Sequence, residues 1–363
     1  MIIIKVKSKL VFSVMLLYKQ IKRIISTSCF AEMDREQEQM QFLGLFGIFK
    51  ESFKIILSWR KIFAQITLTL ILPLTFIFLG HLEISNILFR DIKHTEFEKD
   101  ITPPGTRTYN KLSDTLLSEW VTFLLFKVAY VTILLILSLL STAAVVYTIA
   151  SIYTGRELTL KKVMSVVPKV WKRLIVTFLC MFAAFFVYNF IAVLVMFICA
   201  VVFPYNAVIF LMFVVLIIYV IGFVYMSVIW HLATVVSVLE TSYGLTAMKK
   251  SNDLIKGNQG IVIAIFFMLN LSFVLIQFLF RLFVVHGSSL EAWKRVGFGV
   301  LCSLLFGSVF LFGLVVQTII YLVCKSYHHE NIDKGDLSNH LESYLGEYEP
   351  LSGKDVQLEQ YQV

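Results

Sequence analysis

Residues 153–174 read YTGRELTLKKVMSVVPKVWKRL and join two of the most hydrophobic runs in the chain. Six cations crowd into this connection: Arg156, Lys161, Lys162, Lys169, Lys172 and Arg173. Among them Leu160, Val163, Met164, Val167, Val170, Trp171 and Leu174 recur at offsets 0, 3, 4, 7, 10, 11 and 14, which is one face of an α-helix. The cations take the remaining face, so the segment reads as a basic amphipathic helix with an interfacial tryptophan, Trp171. Pro168 removes a backbone donor and biases Val167 away from the helical region. The expectation is an in-plane helix up to Val167, an elbow, and a span that starts at Pro168. The cations then face lipid phosphates, each contributing about 1 kcal/mol near an anionic leaflet.

The flanking runs bring the membrane into the argument. Of 363 residues 58% are hydrophobic and 15% charged, with a mean hydropathy of +0.81, whereas a soluble domain is roughly half apolar and roughly a quarter charged. The runs reach the roughly 20 residues that cross about 30 Å of hydrocarbon as a helix, and the period-2 pattern of a barrel is absent. The expected fold class is all-α: a polytopic membrane bundle of about six transmembrane helices, at 62–82, 124–150, 174–203, 207–233, 261–285 and 297–324. Pro73 predicts a kink in the first span, and Pro204-Tyr205-Asn206 a tight turn between the third and fourth. Residues 83–120, mixed in charge and broken by ThrProProGly at 102–105, read as a surface loop.

The basic amphipathic pattern recurs. Phe42, Leu45, Phe46, Phe49, Phe53 and Ile56 form a stripe before the first span, and a weaker set, Leu245, Met248 and Ile255 beside Lys249, Lys250 and Lys256, precedes the fifth. GRELTLKK at 155–162 also resembles GLTAMKK at 244–250. The chain thus reads as three hairpins, each preceded by a short amphipathic interfacial helix; chance similarity among low-complexity segments is the rival reading. Cations near span ends favour one side by roughly two to one, which predicts that side, and both termini, to be cytosolic. Residues 1–32, cationic with a short apolar core, read as an N-terminal extension outside the fold. Residues 33–324 form the membrane domain, and 325–363 an acidic, flexible cytosolic tail.

Four blocks carry a resemblance: MDREQEQMQFLGLFGIFKESFKII at 33–56, STAAVVYTIASIYTGRELTLKKVMSVVPKVWKRL at 141–174, KKSNDLIKG at 249–257 and HLESYLGEYEPLSGKDVQLEQY at 340–361. They resemble a family of uncharacterised plant multi-span membrane proteins over nearly the whole chain from Met33. More remotely, the arrangement is similar to bacterial membrane domains found beside glycerophosphodiester phosphodiesterases. The resemblance implies kinship and supplies no mechanism.

Ionisable and amide side chains inside spans are the candidate polar contacts: Asn189, Asn270, Gln277 and His231. Lys127 and Arg281, near span ends, read as snorkelling cations. Gly299, Ser303 and Gly307 read as a small-residue packing face. No hydrolase, kinase or Walker signature is present, so no enzymatic activity, cofactor or metal is expected; HisHisGlu at 328–330 lacks a second ligand pair. The net charge of +8 gathers at span ends, so the expected partners are the bilayer and anionic headgroups, not nucleic acid. A cytosolic protein bound by the tail and a homo-oligomer are further partner expectations. The functional expectation is a non-enzymatic, multi-pass component of an endomembrane (ER) or the plasma membrane that organises lipid or a partner; the alternative is a small-solute transporter or channel, requiring a water-accessible cavity that reaches Asn189 and Asn270.

Overall fold

The structure is a computed structural model and describes residues 44–155, 159–202, 204–285 and 291–328. The expectations for 1–32, Phe42, Arg156 and 329–363 lie outside these residues. Every regular element among the described residues is helical: α1 Leu45–Ser58, α2 Arg60–Ile101, α3 Arg107–Tyr153, α4 Leu160–Val202, α5 Tyr205–Leu239, α6 Leu245–Ile255, α7 Gln259–Val285 and α8 Ala292–Tyr327. Six of them, α2 to α5 with α7 and α8, are long and apolar enough to cross a membrane. α2 packs along α3, α4 along α5, and α7 along α8.

The core sits where α3, α5 and α8 end. Residues 141–153, 232–239 and 314–324 of these helices are buried on every side, and each of the three touches the other two. Lipid tails are as apolar as leucine, so close packing has to hold such a core together. The sequence provides it: SerThrAlaAla at 141–144, Ala150 and Ser151 on α3, and Ala233 and Ser237 on α5, let the backbones approach. Ser141 donates within its own helix to Leu137 O at 2.7 Å and Thr148 to Ala144 O at 2.7 Å, whereas Ser237 also meets Thr177 of α4 at 2.7 Å and Ser151 Oγ is enclosed without a partner among the described residues.

The amphipathic segments wrap this core. Ile48, Ser52 and Ile55 of α1, Ala247, Ser251, Leu254 and Ile255 of α6, and Val163, Val166, Val167, Val170 and Leu174 of α4 are all buried. The stripe of α4 is therefore rotated from the sequence reading: Val166 is inside and Met164 is 37% exposed. Pro168 makes no elbow, because α4 runs unbroken from Leu160 to Val202. Packing of the four valines around Pro168 holds the helix across one missing donor, so tertiary contact overrides local bias.

Before Pro73, α2 passes through a π turn at Thr67–Ile71 and continues as helix to Ile101. One further expectation is corrected. Residues 83–120 are helical except for a short turn: α2 runs on to Ile101 and α3 starts at Arg107. Gly105, with φ of 85°, makes the turn, and Thr106 Oγ1 accepts from Tyr109 N at 3.2 Å as the cap of α3. The two helices zip together through Lys127 donating to Ser85 at 2.7 Å and Thr95 donating to Glu119 at 3.1 Å. This charged hairpin extends the bundle at the end opposite the core.

Candidate functional site

A cavity of about 160 Å³ lies against the core, lined by Ser138 and Thr142 of α3, Phe178 of α4, His231 and Thr234 of α5, Asn270 of α7 and Gln317 of α8, among apolar neighbours. His231 Nδ1 and Gln317 Oε1 are 3.1 Å apart, so a proton on Nδ1 donates across from α5 to α8. The imidazole also stacks on Phe266, with centroids 4.7 Å apart and planes 12° apart. Asn270 Nδ2 donates within its own helix to Phe266 O at 2.8 Å. These groups can hydrogen-bond a small polar solute or several waters. No nucleophile is paired with a base there, and no cluster of three His, Cys, Asp or Glu residues that would hold a metal occurs among the described residues.

Of the four polar candidates, the cavity unites His231 and Asn270 only. Asn189 lies on the exposed outer half of α4, where its Oδ1 accepts from Tyr219 OH at 2.8 Å while Tyr188 OH donates to Tyr219 O at 2.7 Å. This clasp fastens α4 to α5 away from the cavity. Gln277 is half-buried on α7, outside the lining. The sequence reading missed Gln317, although it is the single amide in the apolar run LFGLVVQTIIYLV.

The second feature is a collar of cations around the core end. Lys50, Lys54, Arg60 and Lys61 of α1 and α2, Lys161, Lys162, Lys169 and Lys172 of α4, Lys249 of α6 and Lys256 directly after it are exposed, while Arg173 is half-buried. Trp171 is half-buried against the core, with its indole N–H enclosed and lacking a partner among the described residues. An open cavity of about 660 Å³ between α6 and the end of α8 is lined by Lys249, Lys250, Lys256, Asp253 and His328. The hydrogen bond from Lys256 at 2.7 Å holds the Asp253 carboxyl below its ordinary value and raises the Lys256 ammonium.

Two collar cations turn inward to Glu240, which follows α5. Its Oε2 lies 2.7 Å from Lys250 Nζ, and its Oε1 accepts from Tyr321 OH at 2.6 Å and Lys325 Nζ at 3.1 Å. Burial pushes this carboxyl up, but Lys250, Tyr321 and Lys325 together outweigh it and hold the group below the ordinary carboxylate value. Glu240 thus ties α5, α6 and α8 into one end plate.

Residues 33–361 match the family described as Domain of unknown function (DUF8558). The chain belongs to this family. No match was found among curated proteins or among solved structures. In this DUF8558 chain the matched region contains the whole collar, the Glu240 plate and the cavity.

Proposed function

We propose that this DUF8558 protein is a non-enzymatic multi-pass component of an endomembrane such as the ER, or of the plasma membrane, in a plant cell, the source that the resemblance implies. Its collar organises anionic lipid headgroups in the cytosolic leaflet. One observation carries the reading: α1, α4 and α6 each bury a stripe in the bundle (Ile48 and Ile55; Val163, Val166, Val167 and Val170; Leu254 and Ile255) while most of their cations stay exposed around the same end, and Phe46 and Phe53 of the stripe expected in α1 point outward, 84% and 56% exposed. In this reading the three short basic segments lie at the membrane surface, each ahead of one hairpin, with both termini cytosolic. The bundle fixes the spacing of the cations, so little ordering entropy is lost when headgroups bind. A single-cysteine labelling series tests the placement. Thr106→Cys is expected to label only from the far side and Lys161→Cys only from the cytosol; labelling of both from one side overturns it.

The polar cavity favours a second reading, a small-solute transporter. Asn270→Leu is expected to change stability by less than about 1 kcal/mol, since its hydrogen bond stays within its own helix. In proteoliposomes, solute flux that falls with Asn270→Leu supports transport, whereas unchanged flux with intact lipid retention supports the collar.

A further inference from the structure

At the end opposite the collar, a groove of about 390 Å³ runs between α2 and α8, beside the π turn of α7 at Arg281–Val285. Its walls are apolar: Phe76, Leu79, Phe280, Val284, Val296 and Val300. Gly80 and Gly299 keep it open, since a Cβ at Gly80 would meet nothing within 4 Å and one at Gly299 only Val284, at 4.0 Å. Further in, α2 and α8 close on each other. Thr75 and Ser303 hydroxyls are 3.2 Å apart there, and a Cβ on Gly307 would touch Thr75 at 3.5 Å.

The mouth of the groove is charged. Arg295 donates through Nε and Nη2 to Val284 O at 3.1 and 2.7 Å, and through Nη2 to Glu83 Oε1 at 3.3 Å. Its Nη1 makes no bond to a described residue. Glu83 Oε2 is enclosed and accepts no hydrogen bond from a described residue, a costly state for a carboxylate oxygen. Glu83 lies 23 residues along α2 from Arg60, or about 35 Å of helix, close to the roughly 30 Å thickness of the hydrocarbon. The exposed Trp293 near the mouth fits the same headgroup level. The groove therefore starts at headgroup depth and leads into the acyl region.

We infer that the groove holds one phospholipid of the far leaflet with a primary-amine headgroup: its ammonium donates to the Glu83 carboxylate, which is partly exposed at the mouth, its phosphate meets Arg295 Nη1, and an acyl chain lies between Gly80 and Gly299. The paired carboxylate and guanidinium complement the ammonium and phosphate of a zwitterion. A choline headgroup carries the same charges without an N–H donor, and a sterol offers a hydroxyl without charge. The site stands apart from the collar, because this lipid has no net charge for the collar to attract.

The test uses the full chain in mixed micelles that contain phosphatidylethanolamine, its mono- and dimethyl derivatives and phosphatidylcholine, all with the same acyl chains. Lipids retained are counted by native mass spectrometry. Phosphatidylethanolamine is expected to be retained about tenfold over phosphatidylcholine, with a stepwise fall as methyls replace N–H. Glu83→Gln lowers that preference, and Gly80→Leu with Gly299→Leu abolishes retention while the helical circular dichroism is kept. Equal retention of the four lipids by the wild type overturns the inference, as does displacement by a sterol or indifference to the filled groove. If the double variant fails to fold, the methyl series on the wild type decides alone.

Discussion

Glu240→Ala is expected to destabilise the bundle by about 3 kcal/mol, the scale of breaking a buried ion pair from one side. The glutamate side chain is 12% exposed and Lys325 17% exposed, so its loss leaves an ammonium with little access to water. It also unfastens α6 and α8 from the end of α5. Thermal unfolding in detergent checks the loss, and Glu240→Leu combined with Lys325→Met should recover part of it by removing both charges. The pH dependence has a fixed sign. A carboxyl held below its unfolded value of about 4.3 contributes stability that is complete above that pH. The contribution is lost as pH falls through the lower folded value. Acidification should therefore narrow the gap between the wild type and Glu240→Gln; a gap constant with pH would contradict the role of the ionised carboxylate.

Reversing Lys161, Lys162 and Lys172 to Glu is expected to have the largest effect on lipid association. All three are exposed on the side of α4 away from its buried valines, so the fold should survive. Each cation contributes about 1 kcal/mol near an anionic leaflet, so reversal removes about 3 kcal/mol of attraction and adds repulsion of similar size. Screening reduces both over a Debye length of about 8 Å at about 0.15 M salt. Phosphatidylglycerol should raise the unfolding midpoint of the wild type through preferential binding to the folded state. It should raise that of the triple Gln variant less and that of the triple Glu variant not at all. An equal rise in all three would place the lipid contact elsewhere.

The membrane class and six long apolar helices were legible because hydropathy is additive along a span and needs no tertiary information. The hairpin of residues 83–120 was not, because charges on its outer faces dilute the apolar content. Its signal is the half-buried set Leu112, Leu116, Glu119, Phe123, Phe126 and Tyr130, which repeats at helical spacing toward α2. The continuity of α4 through Pro168 depends on valines packed by other helices, which local propensity does not contain. For the same reason the sequence marked His231 and Asn270 as costly residues but could not separate them from Asn189. The difference lies in which helix each one faces. The collar cations were visible as a count; that Lys250 and Lys325 turn inward to Glu240 while their neighbours stay exposed is a product of the fold.

Lipid retention by the wild type tests the central claim most directly. The full chain is held in micelles containing equal amounts of phosphatidylglycerol and phosphatidylcholine, and the bound lipids are counted by native mass spectrometry at low and high salt. A collar of exposed cations predicts about tenfold enrichment of phosphatidylglycerol at low salt, with enrichment falling as salt shortens the Debye length. Retention of the two lipids in their bulk ratio at both salt concentrations would contradict it.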